Sequence, residues 1–134
     1  MPGIVLTISG EPDDSLAQRV AEDITNLACS VLRKRPNQTM VMVRHVPHRS
    51  WFIEKRSLSA WGKNSFRLEV TITRDTNTRE EKTEFHKQAF ALLSRVLGDV
   101  HPHSNVHIID CSAAGYGYGG ITQENRLQHA GQRL

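Results

Sequence analysis

Apolar residues along the first half of the chain recur at spacings that predict a strand, a helix and a second strand. Residues 3–8 form a short apolar and β-branched run, which is typical of a strand. The apolar positions that follow are three or four residues apart, the spacing of one face of a helix. These positions are Leu16, Val20, Ile24, Leu27 and Val31. Residues 39–46 form another apolar, β-branched run and predict the second strand.

The same order of elements recurs in the second half. Residues 66–73 alternate apolar and polar side chains, as in a half-buried strand. Thr78 and Glu81 have the spacing of a capping box, which predicts the start of a helix, and Gly98 predicts its end. Residues 106–110 predict the matching strand. An offset of about 67 residues therefore relates two copies of one β-α-β unit.

The repeat predicts how the chain is organised. We expect a single domain over residues 1–134, built from two copies, a connector and a C-terminal tail. The copies span 2–53 and 66–120, the connector 54–65 and the tail 121–134. Within each copy the two strands should be parallel, because a helical crossover joins parallel strands. The expected fold class is α/β: a four-stranded sheet with two helices on one face, its other face covered by another subunit.

Composition narrows the possible functions. The 134 residues are 38% hydrophobic and 23% charged, as in a globular protein. The net charge of +3 is mild, and the basic residues between 33 and 56 lack an RNA-binding signature, so we expect no nucleic-acid partner. No apolar run approaches the roughly 18 residues of a membrane span. The first residues also lack the regions of a signal peptide, and two cysteines make no disulfide framework. We therefore expect a cytoplasmic protein with no membrane partner.

A histidine-rich stretch is a candidate metal site that the spacing does not support. His101, His103 and His107 lie close together in the sequence, but Pro102 interrupts any regular presentation of their side chains. The spacing matches no closed metal site. The prediction is that the protein binds no metal.

The duplicated β-α-β plan, with Pro2 directly after Met1, resembles the tautomerase superfamily. The second half is similar to a short 4-oxalocrotonate tautomerase subunit: TREEKTEF resembles that family's helix start, SNVHII its second strand and GYGYGG its glycine-rich aromatic segment. A fused chain of this length also resembles the malonate semialdehyde decarboxylase and cis-3-chloroacrylic acid dehalogenase groups. The resemblance implies the tautomerase fold and a homotrimer of fused chains. It also implies chemistry without a cofactor, because enolisation needs only an acid/base group and stabilisation of an anion.

Pro2 is the candidate catalytic residue. Removal of Met1 would convert its nitrogen into a free secondary amine. Burial in an apolar pocket disfavours the ammonium form, as does a nearby arginine, and both lower the pKa of such an amine toward neutrality. A general base works best there. The alternative is that Pro2 merely follows the initiator methionine and protects the terminus.

The resemblance implies five further site residues that would bind substrate. Arg74 matches the first arginine of the fused dehalogenase group and would hold a carboxylate in a bidentate manner. Asn77 and His107 stand where the short tautomerases have arginines. Tyr116 matches an aromatic wall residue, and Tyr118 follows on the same pleat. The alternatives are a surface ion pair for Arg74, a solvent-facing or interface position for His107, and a plain turn at a subunit interface for the tyrosines.

The resemblance implies an enzyme that acts on a small carboxylic acid. The first hypothesis is a tautomerase, an isomerase that moves a proton on a 2-oxo or 2-hydroxy-diene acid with Pro2 as general base. An alternative is a decarboxylase, hydratase or dehalogenase of a three-carbon acid that uses protonated Pro2. Ala28 and Gly117 weaken the dehalogenase reading, because they replace that group's water-activating histidine and glutamate. A further alternative is a non-catalytic trimeric module whose site has decayed.

Overall fold

Two β-α-β units and a C-terminal hairpin and helix make up the protein in a computed structural model, which describes residues 2–132 and the side chains of residues 2–129. The first unit and the segment after it contain β1 (Gly3–Ser9), α1 (Asp14–Val31), β2 (Met40–Val46), β3 (Phe52–Ile53), β4 (Arg56–Ser57) and α2 (Leu58–Trp61). The second unit and the tail contain β5 (Phe66–Thr73), α3 (Arg79–Leu97), β6 (Asn105–Cys111), β7 (Gly117–Tyr118), β8 (Ile121–Thr122) and α4 (Gln123–Gln132).

The main sheet has four strands in the order β2-β1-β5-β6. β1 runs parallel to β2 and β5 runs parallel to β6, as the helical crossovers require. The two units join where β1 and β5 pair in antiparallel fashion, with Gly3 opposite Thr71. The predicted fold class is confirmed. The register also places the start of β1 beside the end of β5, which determines what surrounds Pro2.

The core lies between the sheet and the two long helices. Alternate residues of β1 and β5 point to the helices and are fully buried, because side chains of a strand alternate between its faces. The helices contribute the positions that helical spacing predicts, each buried against the sheet. The residues of this core with no exposed surface include Ile4, Leu6, Phe66, Val70, Val20, Ile24, Phe85 and Leu93. Burying one large apolar side chain contributes about 1.5–3 kcal/mol, so this layer provides the main stabilisation of the fold.

The predicted capping box is present at the start of α3. The Thr78 hydroxyl accepts a hydrogen bond from the Glu81 backbone N–H at 3.0 Å, and the Glu81 carboxylate accepts one from the Thr78 N–H at 2.8 Å. Both bonds satisfy backbone donors that a helix start leaves without partners.

The sheet face opposite the helices is open. It presents Met40, Met42 and Ile109, which are 60%, 45% and 45% exposed, beside polar residues. Among these, Arg67 forms an ion pair with Glu69 at 2.6 Å. The face is thus apolar at its β2 and β6 edges and charged near its middle, and exposed apolar area of this kind is typical of a surface that another protein covers.

Two segments contain more regular structure than the sequence analysis predicted. The connector includes β4 and α2, and the tail includes β8 and α4. Residues 133–134 of the tail lie outside the described residues. None of the helices within residues 2–132 is both long and apolar enough to cross a membrane.

Candidate active site

A cavity of about 460 Å³ lies at the start of β1, on the open side of the sheet. Its volume is within the range of about 300–1,000 Å³ that small-molecule sites occupy. None of the residues that line it carries a charged side chain. The lining residues are Pro2, Gly3, Ile4, Val5, Asn37, Gln38, Thr39, Met40, Thr71, Tyr116, Gly117 and Tyr118.

Pro2 is buried at the wall of this cavity. It precedes β1, so the missing N–H of its ring deprives the sheet of no hydrogen bond within the strand. Its carbonyl oxygen accepts a hydrogen bond from the Met40 N–H at 3.2 Å. This bond to the neighbouring strand ties the residue to the sheet and fixes its position beside the cavity.

Tyr116 places its hydroxyl directly beside the start of β1. The hydroxyl donates to the Thr71 carbonyl at 3.3 Å. A Cβ atom on Gly3 would lie only 2.9 Å from this hydroxyl oxygen, so the close approach needs a glycine. Burial raises the pKa of the Tyr116 phenol, although a hydrogen bond from the Gly3 backbone acts in the opposite direction. The phenol therefore stays protonated at neutral pH and serves as a hydrogen-bond donor one residue away from Pro2.

Tyr118 comes to the cavity on the β7–β8 hairpin. Gly119 and Gly120 form its turn with φ of 64° and 80°. Two successive residues with positive φ are the requirement of a type I′ turn, which matches the twist of paired strands. The Arg126 guanidinium lies 3.8 Å from the centre of the Tyr118 ring and donates to the Tyr118 carbonyl at 2.8 Å. The C-terminal helix thus holds the second tyrosine in place.

Arg74 and His107 do not line the cavity in the single chain. Arg74 follows β5 directly, and its backbone N–H donates to the Cys111 carbonyl at 2.8 Å while its side chain is exposed. His107 lies in β6 opposite Glu69, and its Nε2 is buried without a partner among the described residues. Their binding roles stay predictions.

Asn77 also lies away from the cavity, in the loop before α3. Its amide nitrogen donates to the Leu32 carbonyl at 2.9 Å and to the Glu81 carboxylate at 3.3 Å. These bonds tie the end of α1 to the start of α3. The single chain therefore uses this side chain in holding its helices together, and the proposed contact of Asn77 with substrate stays a prediction.

The sequence analysis missed the polar residues Asn37, Gln38 and Thr39 in the cavity wall. They belong to a 3₁₀ turn and its end, just before β2. Since β2 is parallel to β1 with Met40 opposite Gly3, whatever precedes β2 lies at the Pro2 end of the sheet. The parallel pairing of these strands was predicted, but their register was not, and the register was the missing signal.

No cluster of three or more metal-ligating side chains occurs in the part of the chain that the structure describes. The histidine-rich stretch is used otherwise: His101 Nδ1 accepts from the His103 backbone N–H at 3.0 Å. The His101 ring packs edge-on against Trp61, with ring centres 4.7 Å apart.

Comparisons with known proteins identify relatives by structure alone. No family model matches the chain, and no curated protein matches it in sequence. It is similar to Pt0534 inactivated by 2-oxo-3-pentynoate, with a TM-score of 0.79 and 12% identity over 91% of this chain and 97% of that one. It is also similar to a fused 4-OT symmetric trimer, with a TM-score of 0.78 and 12% identity over 92% and 98%.

A third similar structure is a macrophage migration inhibitory factor-like protein from Entamoeba histolytica, with a TM-score of 0.70 and 11% identity over 90% of this chain and 97% of that one. Identities this low show a shared fold and leave activity to be argued from the site. The structural neighbours include fused 4-OT proteins of the tautomerase superfamily, and the chain has their fold.

Proposed function

We propose that the protein is a cofactor-independent tautomerase of the cytoplasm that moves a proton on a small 2-oxo or 2-hydroxy-diene carboxylic acid. The observation that carries the proposal is the cavity in which buried Pro2 meets Tyr116 and Tyr118. A proline that starts a chain is a secondary amine, and here that amine would face a space of the size of a small ligand.

Pro2 acts as the base in this proposal, once Met1 is removed. Its ring fixes the direction of the nitrogen lone pair. The uncharged cavity wall disfavours an ammonium ion and so favours the free amine that a general base requires. The amine takes a proton from the enol hydroxyl and returns it at the conjugated carbon, so that the proton is neither gained nor lost over the cycle.

The intermediate is a dienolate anion, which the site must stabilise. The protonated Tyr116 phenol is a suitable donor for the developing oxyanion, since it lies beside Gly3 at the Pro2 end of the cavity. We assign the substrate carboxylate to Arg74, which forms no ion pair with any described residue and follows the strand that ends beside β1. Asn77 and His107 are further candidates for this contact.

The active form in this proposal is a homotrimer. Two features support it: the exposed methionines and isoleucine on the open sheet face, and the trimeric assembly of a fused 4-OT with the same fold. The Pro2 cavity opens on this same side of the sheet, so assembly would also shape the site.

The proposal is tested by the change Pro2→Ala. A general base contributes about 10²–10⁴-fold to a rate, so phenylenolpyruvate tautomerisation by this variant should fall by at least that lower bound. Pro12→Ala is the matched control, because Pro12 is exposed and far from β1 in the sheet. It should leave the rate unchanged. A Pro2→Ala rate within a factor of two of the unaltered protein would contradict the mechanism.

A further inference from the structure

A second cavity, of about 300 Å³, adjoins the Pro2 cavity. Gln38 and Tyr118 line both, so the two spaces meet at these side chains. Its lining differs in charge from that of the first: it includes Arg35, Arg126 and His129 and no carboxylate. A molecule that extends from Pro2 past Tyr118 would thus move from an uncharged wall to a cationic one.

Arg126 is held rigidly in this second cavity. Its guanidinium stacks on the Tyr118 ring and donates to the Tyr118 carbonyl, both of which are neutral partners. Its Nε is buried and has no acceptor among the described residues, and no described carboxylate forms an ion pair with it. The arginine therefore contributes a positive charge that these neighbours do not neutralise, in a geometry fixed before any ligand arrives.

Arg35 and His129 present their side chains from a fixed backbone. The Arg35 carbonyl accepts hydrogen bonds from the Thr39 hydroxyl at 2.7 Å and the Gln38 N–H at 3.0 Å, while its exposed guanidinium makes no bond to a described residue. His129 Nδ1 lies 2.9 Å from the Asn125 carbonyl oxygen. Since a carbonyl only accepts, Nδ1 carries the proton and Nε2 stays available for a ligand.

From this arrangement we infer that the second cavity is an anion subsite, formed mainly by Arg35 and Arg126, that receives a distal carboxylate of the substrate. The preferred substrate is then a dicarboxylic 2-oxo or 2-hydroxy-diene acid, with its unsaturated middle beside Pro2. This inference rests on the proposed function, because it takes the Pro2 cavity as the substrate site. Arginine suits the task, since its planar fork of donors matches a carboxylate.

A purely structural role for Arg126 makes a different prediction from a binding role. If the residue only fastens α4 to the β7–β8 hairpin, its loss weakens the fold and affects all ligands alike. Arg35 separates the two readings, because its side chain fastens nothing among the described residues. Its loss should affect only ligands that reach the second cavity.

The test compares binding of adipate and hexanoate, six-carbon acids with and without a distal carboxylate, to the full chain by titration calorimetry. A hydrogen bond to a charged group is worth enough to change affinity by about tenfold, so adipate should bind at least that much more tightly. Arg35→Gln and Arg126→Gln should each remove about tenfold of the adipate affinity and leave hexanoate unchanged. The control Arg95→Gln, on the exposed side of α3, removes a charge elsewhere and should change neither.

Equal affinities for the two acids would overturn the inference, as would an Arg95→Gln effect as large as that of Arg35→Gln. If Arg126→Gln fails to fold, Arg35→Gln alone decides. The outcome is separate from that of the proposed function. Adipate preference that persists alongside an unaffected Pro2→Ala rate would leave the subsite standing and refute the catalytic role of Pro2.

Discussion

At the scale of single residues, the site depends on one missing side chain. Tyr116 reaches the start of β1 only because Gly3 leaves space for its hydroxyl. Pro2, the next residue, is fixed through its carbonyl to Met40. The proposed base and the proposed donor are therefore positioned by the same short stretch of backbone, and a change in that stretch should disturb catalysis before it disturbs the fold.

Gly3→Ala tests this arrangement. The new Cβ would lie 2.9 Å from the Tyr116 hydroxyl oxygen and must displace it. Because a misplaced group near the reacting atoms can cost about 10²-fold in rate, we expect tautomerisation to fall between about tenfold and that value. The Tm should change by only a few degrees, since the displaced phenol is the free end of a side chain.

Gly115→Ala is the matched control for Gly3→Ala. A Cβ at position 115 would meet only the Ser112 carbonyl oxygen, at an ordinary 3.8 Å. Its rate should equal that of the unaltered protein. Equal losses in the two variants would show that Tyr116 does not act through its contact with Gly3.

At the scale of elements, Glu81 connects the two long helices. Its carboxylate accepts from the Thr78 backbone at the start of α3 and pairs with Arg33, just beyond the end of α1, at 2.7 Å. Asn77 adds a bond to the Leu32 carbonyl. The backbone hydrogen bond from Thr78, followed by the bonds from Arg33 and Asn77, lowers the pKa of Glu81 from 4.5 to about 2.

This lowered pKa predicts how stability depends on pH. A carboxylate with a lower pKa in the folded state stabilises the fold fully above the unfolded value. The stabilisation from Glu81 should thus be complete above pH 4.5 and be lost as the pH falls toward about 2. Glu81→Gln should lower the urea midpoint at pH 7 and make the midpoint decline less between pH 5 and about pH 2.5, where this linkage acts.

Glu80→Gln is the control for the pH experiment. Glu80 lies in the same first turn of α3 and is exposed, but it makes no side-chain hydrogen bond to a described residue. It shares the favourable position near the helix start, so its replacement isolates that general effect. If the two variants lose the same stability with the same pH profile, the connection between the helices contributes nothing.

Much of the fold could be predicted from the sequence because its signals are local. Alternation over residues 66–73, helical spacing in both halves and the Thr78–Glu81 capping box each depend on neighbours in the chain. Helix α4 could not be predicted in this way, because Ile121 and Leu127 are too few apolar residues to define a face. Its position depends instead on Arg126 stacking on Tyr118, a contact between two separate elements.

The site was predictable only where the resemblance or the pleat fixed a position. Pro2, Tyr116 and Tyr118 were named and share one cavity. Gln38 and Arg126 were not named, because their positions depend on strand register and on packing of the tail. Arg74 shows the opposite difference: the sequence places it beside the correct strand end, but its side chain lies outside the cavity of the single chain.

At the scale of the whole molecule, the open sheet face is the largest unexplained surface. Met42 lies on β2 and Ile109 on β6, and both are 45% exposed. Two thin helices cover the opposite face completely enough to bury its core, so the difference between the two faces is large. A self-associated molecule would remove the exposed apolar side chains from water, which favours assembly.

Met42→Glu tests that assembly. The protein should have three times the 15.1 kDa mass of the chain in light scattering after size-exclusion chromatography. A buried, unpaired carboxylate is strongly unfavourable, so this variant should have the mass of one chain. Ala91→Glu, on the exposed side of α3, introduces the same charge and should keep the larger mass. A single-chain mass for the unaltered protein would refute the trimer.

The most direct measurement of the central claim is covalent labelling of Pro2. The acetylenic acid 2-oxo-3-pentynoate, which inactivates Pt0534, should react with a free, nucleophilic proline amine in the cavity. Mass spectrometry of protein from its native cell should show loss of Met1 and one inhibitor per chain, with peptide analysis locating it on Pro2. A retained Met1, or a label found elsewhere while Pro2 stays unmodified, would contradict the account.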